Sequence, residues 1–266
     1  MMMKGYTKLL LFSFLLFAAS QAQAQYYRVY GWETPRRGWL ELNMWNKYVS
    51  SSDNTFSLND QQLSRKGLFL HTAEVEYGIT DRLAVGSYVD FRDSPDMNFS
   101  FYRFRAVARY RLFSKFEYFF NPAIYMEYYV PRKNSGEATE LETRLILQHD
   151  FGDFRLNLNP AIEKDLSGEE VQESLKANLF TGLYWRRYYT FQPGLEYYGR
   201  FGEVQEFPEQ QQREHVLFGV LNMRFFSGFM WELGAGKGLT DGSDNWVFKS
   251  ILTYEFPTIR PSRQAR

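Results

Sequence analysis

From Thr72 to Phe91 the chain reads TAEVEYGITDRLAVGSYVDF, and its side chains alternate between apolar and polar across one short break. Ala73, Val75 and Tyr77 share one face, and Thr72, Glu74 and Glu76 share the other. After Gly78-Ile79-Thr80-Asp81, Leu83, Val85, Val89 and Phe91 are in phase opposite Ala84, Gly86, Tyr88 and Asp90. A period of two on both sides of a short Gly/Asp connection is the mark of a β-hairpin. Carboxylates in mid-strand must be hydrated or paired, so each strand has one oily face and one polar face.

The same alternation recurs along the chain. It predicts strands over 38–50, 67–77, 82–92, 99–113, 116–130, 138–151, 154–164, 171–185, 188–200, 213–226, 229–237 and 246–256. The apolar phases include Leu40, Leu42, Met44 and Tyr48 in the first; Tyr102, Phe104, Ala106, Ala108, Tyr110 and Leu112 in the fourth; and Leu141, Leu145, Leu147 and Phe151 in the sixth. Long and short connections alternate, with long ones over 51–66, 93–98, 131–137, 165–170, 201–212 and 238–245. Tight turns are expected at Ser114-Lys115, Gly152-Asp153, Arg186-Arg187 and Ser227-Gly228. The Gly-rich eleventh strand is the least patterned, which bounds the count at ten to fourteen. Pro122, Pro160 and Pro193 fall inside strands, where a missing donor predicts a bulge or a local edge.

Residues 1–24 read as a signal peptide: Lys4 and Lys8 precede the apolar run Leu9 to Ala19, and Ala22-Gln23-Ala24 is a small-x-small cleavage site. Beyond it there is no long apolar run. Aromatics make up 19% of the chain, with 19 Tyr and 25 Phe, yet mean hydropathy is −0.45. A membrane barrel reconciles the two, because only alternate residues meet lipid and aromatics concentrate in interfacial girdles. The fold class expected is all-β: a closed, antiparallel, up-and-down transmembrane β-barrel of about twelve strands over 38–256. Lipid cannot satisfy an open edge, so closure is required. Residues 25–37 are expected as a periplasmic lead and 257–266 as a periplasmic tail. An even strand count with short turns on the periplasmic side puts both termini there, in a bacterial outer membrane. Formal charge is zero, with 31 Lys+Arg against 31 Asp+Glu, which offers nothing for nucleic acid. Cysteine is absent and the three histidines are scattered, so neither a cofactor nor a metal cluster is expected.

The polar phase carries the chemistry. Arg103, Arg105, Arg109 and Arg111 fall on one side of the fourth strand, successive ones about 7 Å apart. Glu74, Glu76, Glu127, Glu140 and Glu142 also point inward by phase. Charged ladders are how pores select ions, so a small-solute channel with an anion-favouring ladder is one expectation. A twelve-stranded barrel is also narrow enough for paired side chains to fill it, which leaves a closed, structural or partner-binding barrel as another.

The signal peptide, the hairpin EYGITDRLAVGSYVDF and the closing strand ending Leu252-Thr253-Tyr254-Glu255-Phe256 resemble those of bacterial outer-membrane β-barrels. In those proteins the terminal aromatic is read by the barrel assembly machinery, an implied partner together with outer-membrane lipid and a small solute. Here Pro257 to Arg266 follow it. The YGITDRL hairpin is similar to outer-membrane transporters grouped with meta-pathway phenol degradation, a likeness of about twenty residues that implies a transporter and transfers no site residue. Strand number also resembles that of the outer-membrane phospholipase A, whose Ser-His pair faces lipid. His71, His149 and His215 face outward by phase, and Ser50 and His71 lie near the outer ends of adjacent strands. Nucleophile and base are what acyl hydrolysis needs, but no third orienting group or nucleophile motif accompanies them. Girdle roles are therefore expected, with no catalytic residue.

Overall fold

The computed structural model describes residues 27–258 apart from 59–60, 134, 136, 168–174 and 227. The expected signal peptide, the expected tail beyond Thr258 and the start of the expected eighth strand lie outside the described residues. Twelve strands close the barrel: β1 (Trp39–Ser51), β4 (Phe69–Gly78), β5 (Leu83–Ser94), β6 (Met97–Arg111), β7 (Asn121–Pro131), β8 (Thr139–Phe151), β9 (Phe154–Ser167), β10 (Leu175–Trp185), β11 (Phe191–Glu203), β12 (Glu214–Arg224), β13 (Phe229–Gly238) and β14 (Trp246–Pro257). Each pairs antiparallel with its sequence neighbours, and β1 closes on β14 from Trp39↔Pro257 to Ser51↔Trp246. The loop expected over 51–66 holds a small hairpin, β2 (Thr55–Leu58) and β3 (Gln61–Ser64).

The alternation sets the faces as expected. Leu42, Met44, Phe104, Met126, Leu145, Leu183 and Leu195 are exposed on the outer wall, while their neighbours point into the bore and are buried. Tyr102 departs from its expected outward phase. Register shifts between Asp90↔Arg103 and Phe91↔Phe101, so Tyr102 is the extra residue of a bulge. It is turned into the bore, only 1% exposed, as a bulge re-aims a side chain.

Two other expectations change. Pro122 and Pro193 pair with Leu147 and Leu221 without any register shift. A strand residue bonds through its N–H to only one neighbour, so one missing donor need not displace the ladder. At Pro160 the β8–β9 ladder does lapse, between Arg144↔Ala161 and Leu147↔Leu158, and resumes in the same register. The alternation of connection lengths is also looser. β5 and β6 extend to a two-residue turn, Pro95-Asp96, whereas residues 112–120 replace the tight Ser114-Lys115 turn. In that turn Asn121 Oδ1 accepts the Phe116 amide at 2.6 Å, and Phe116 adopts a φ of 66°.

The largest departure concerns the segment before β1. From Tyr27 onward the expected periplasmic lead lies inside the barrel, with Tyr27, Val29, Tyr30 and Trp32 all buried. Tyr27 bonds Glu214, the first residue of β12 at the long-loop rim. Glu33 meets Lys115 and Arg155 at the short-turn rim. Arg37 then bridges to Gly78, and β1 begins. The described chain thus starts near the long-loop rim and descends the whole bore. An alternation test could not register this, because the segment is a single extended thread surrounded by protein on every side.

Candidate functional site: a threaded, charge-lined bore

The thread is held by side chains of the wall acting as substitutes for a neighbouring strand. Asn159 on β9 accepts the Tyr30 amide at 2.7 Å and donates to the Tyr30 carbonyl at 3.0 Å. Gln148 on β8 accepts the Trp32 amide at 2.9 Å. Arg144 donates to the Arg28 carbonyl at 3.1 Å, and Arg109 donates to the carbonyls of Gly31 and Glu33. Buried peptide groups need such partners, and the amide and guanidinium residues in phase on β6, β8 and β9 supply them. The Tyr30 ring stacks on Tyr125 at 4.6 Å, and its hydroxyl meets those of Tyr88 and Tyr125.

All nine residues of the expected charge ladder point into the bore. Arg103, Arg105, Arg109, Glu74, Glu76, Glu127, Glu140 and Glu142 are buried; Arg111 is half-buried at the short-turn end. The structure joins them into a paired network. Asp90, fully buried, accepts from Arg103 at 2.9 Å, from Arg105 at 2.9 Å and from Thr72 at 2.6 Å. Glu127 accepts from Arg105, Tyr125 and Tyr129 at 2.6–2.8 Å. Arg109 pairs with Glu76 at 3.0 Å, Lys176 with Glu140 at 3.5 Å, and Arg144 with Glu142. Lys249 repeats the Glu127 arrangement on the far wall, bonding Glu196, which accepts from Tyr184 and Tyr198 at 2.6 Å.

Two rows of like charge run across the strands: Glu255–Glu41–Glu76 on β14, β1 and β4, and Glu127–Glu142–Glu163 on β7, β8 and β9. Carboxylates directly opposite one another are destabilising, so each row depends on cations from elsewhere. Oxygens of Glu41, Glu74 and Glu76 come within 4.8 Å of one another, a spacing that would suit a metal ion. The sequence reading missed this cluster because it joins two strands separated by a long loop. Its nearest cations are guanidinium groups: Arg28 of the thread lies 3.1 Å from Glu74 and 3.6 Å from Glu41, and Arg109 serves Glu76. The thread therefore contributes charge as well as volume.

Around Arg28, Tyr30, Arg105 and Arg144 the open space is a void of about 20 Å³, room for one water. Below it, at the short-turn end, lies a vestibule of about 580 Å³ bounded by Arg109, Arg111, Arg224, Trp231, Glu255 and the thread. The opposite rim is clasped. Arg65 donates two bonds of 2.8 Å to Asp244, Lys47 stands 3.8 Å from the same carboxylate, and Phe56 of β2 joins the aromatic core below. Burial opposes ionisation of Asp244, but Arg65, its paired bonds, Lys47 and Ser52 outweigh it and hold this carboxyl well below the usual range.

The candidate acyl-hydrolase pair is not assembled. His71 directs Nδ1 to Asn46 at 2.8 Å and Nε2 to Asp93 at 3.3 Å. Its register partner on β1 is Asn46; Ser50 lies four residues further, about 13 Å along the strand, and donates to the Trp246 carbonyl. His149 stacks on Phe119 at 4.0 Å and His215 contacts Tyr197 at 2.6 Å, both in aromatic surroundings on the outer wall.

No protein-family model matches the chain, and no curated protein matches it, so the hairpin's likeness to the meta-pathway transporters has no family match behind it. Solved structures do match. The COG4313 outer membrane channel from Pseudomonas putida F1 is similar with a TM-score of 0.60 at 12% identity, over 87% of this chain and 100% of that one. The KdgM porin in complex with disordered oligogalacturonate gives 0.53 at 10%, over 81% and 99%. The NanC porin gives 0.53 at 11%, over 81% and 98%. The fold is that of outer-membrane barrels.

Proposed function

We propose that the chain is an outer-membrane channel for small solutes that is kept shut by its own N-terminal segment. One observation carries the reading: residues 27–34 fill the bore as a thread held to the wall by non-covalent bonds and joined to β1 through 35–38. Withdrawing it would vacate the volume of Tyr27, Val29, Tyr30 and Trp32 and join the vestibule to the long-loop rim. The similar structures are named as a channel and as porins, one of them in complex with disordered oligogalacturonate, which supports a solute role. The outer wall of apolar and aromatic residues supports placement in an outer membrane. The β6 arginines are a poor basis for selecting anions in this state, since Arg103, Arg105 and Arg109 each already face a carboxylate.

The test is planar-bilayer conductance of the purified protein beside a variant lacking residues 27–33, with folding of each checked by gel mobility before and after boiling. Low or brief current in the full chain and sustained current in the deletion are expected. A folded deletion variant that conducts no better than the full chain rejects the reading. Lipid hydrolysis by the full chain that is lost in His71→Ala would instead favour the enzyme class.

A further inference from the structure

We infer that Glu41, Glu74 and Glu76 form a site for a divalent cation of calcium's size, and that this ion and Arg28 of the thread exclude one another there. The exclusion rests on the channel reading, in which the thread can leave; the binding of the ion does not. Glu41 on β1 stands directly opposite Glu76 on β4, and Glu74 is the next inward residue along β4. One oxygen of each lies within 4.8 Å of the others. Calcium takes carboxylate oxygens at about 2.3–2.6 Å, so oxygens on opposite sides of one ion stand about 5 Å apart. The three side chains therefore match such an ion without movement of the backbone.

Two features point to a cation rather than to a merely acidic wall. The first is Glu74 itself. Its side chain has no exposed surface, and although Tyr88 is close by, Oε1 meets no donor in hydrogen-bond geometry. A buried acceptor without a donor calls for an explanation, and a cation supplies one. The second is the guanidinium docked there. Arg28 reaches Glu74 at 3.1 Å and Glu41 at 3.6 Å, and among the described residues no other cation stands at ion-pair distance from either. The wall itself contributes Arg109, which is 3.0 Å from Glu76. Glu255, beside Glu41 on β14, adds a fourth carboxylate, on which Arg224 and Arg36 act. Withdrawal of the thread thus removes the direct counter-charge of Glu41 and Glu74 together. Carboxylates left unpaired in a confined bore are costly, and one divalent ion offsets both. The vestibule touches Glu41, Arg28 and Arg109, so an ion entering from the short-turn end arrives without crossing the bore. Calcium suits the site better than magnesium, which keeps its waters and demands octahedral geometry.

Calcium chloride titrated by calorimetry into the detergent-solubilised full chain, at constant ionic strength, tests the site. Arg28→Gln is expected to bind calcium about tenfold or more tightly than the native chain, because one charge-assisted hydrogen bond no longer competes. Adding Glu74→Gln should then weaken binding by about tenfold or more, since even the outer partners of metal ligands matter that much, and adding Lys66→Gln at the opposite rim should leave it unchanged. Exclusion is read from Val29→Cys, whose reaction with a water-soluble maleimide reports withdrawal. An ion that binds the withdrawn state alone, with a Kd of about 1 mM, should speed this labelling about tenfold at about 10 mM calcium. Arg28→Gln that binds no more tightly than the native chain, or full affinity in folded Arg28→Gln/Glu74→Gln, overturns the site. Where Arg28→Gln does not fold, Glu41→Gln added to Val29→Cys decides: it should abolish the calcium effect on labelling, and an undiminished effect overturns the inference. Labelling that proceeds but ignores calcium overturns the exclusion. Calcium binding that strengthens in Arg28→Gln while Val29→Cys never labels rejects the channel reading alone.

Discussion

Asn159→Ala removes the side chain that both accepts from and donates to Tyr30 of the thread. In the threaded state the Tyr30 amide and carbonyl then lose their partners while remaining buried. Each such loss costs about 1–3 kcal/mol. Water admitted to the space left by the amide recovers part of it, so a net penalty of about 2–3 kcal/mol is expected. In the withdrawn state the same peptide groups are hydrated and carry no penalty. The ratio of withdrawn to threaded chains should therefore rise about 30- to 150-fold. The chain has no cysteine, so a single Val29→Cys, buried at 8% exposure in the thread, reports withdrawal through its rate of reaction with a water-soluble maleimide. When rethreading is faster than labelling, that rate scales with the withdrawn population. Adding Asn159→Ala should accelerate labelling by the same 30- to 150-fold factor. A folded double variant labelled no faster than Val29→Cys alone would refute the view that wall amides retain the thread.

Two further outcomes follow from the ion network. Asp90→Asn replaces the carboxylate shared by Arg103 and Arg105 with a neutral acceptor in a buried site, leaving Glu127 on Arg105, and loss of one member of such a group costs about 3–5 kcal/mol; the urea midpoint of the barrel refolded in lipid vesicles should fall accordingly, and an unchanged midpoint would mean that water reaches the bore freely. At the long-loop rim the folded Asp244 carboxyl titrates below its unfolded value of about 3.9, so the Arg65–Asp244 clasp contributes fully above that value and loses its contribution progressively as the pH falls from there towards the lower folded value. Protease resistance of the rim should drop between about pH 4 and pH 2 in the native chain, and Asp244→Asn should show the lowered resistance already at pH 7 and no further drop across that interval.

The barrel itself was legible residue by residue. Alternation over 139–151 places Leu141, Leu145 and Leu147 on the lipid face and Glu140, Glu142 and Arg144 inside, because a strand offers its side chains only two directions. Lipid forbids an open edge, so a dozen such strands have one arrangement available to them. The inward set of charges followed from the same phase. What phase cannot supply is distance across the bore: that Asp90 would gather Arg103 and Arg105, or that Glu196 and Lys249 would meet from β11 and β14, depends on the radius and tilt of the closed cylinder. Tyr102 was misplaced because a single inserted residue inverts the phase locally, and the pattern gives no warning of it.

Sequence alone therefore determined the strands, their lipid-facing side and closure, since each is a local response to solvent on one side and oil on the other. Only the tertiary structure decided what occupies the interior. Residues 27–37 carry no periodicity because their partners, Asn159, Gln148, Arg144 and Arg109, surround them from β6, β8 and β9 and lie 76 to 129 positions away along the chain. A segment bonded on all sides by distant side chains has its conformation set by the cavity it enters, and that cavity exists only once the cylinder has closed.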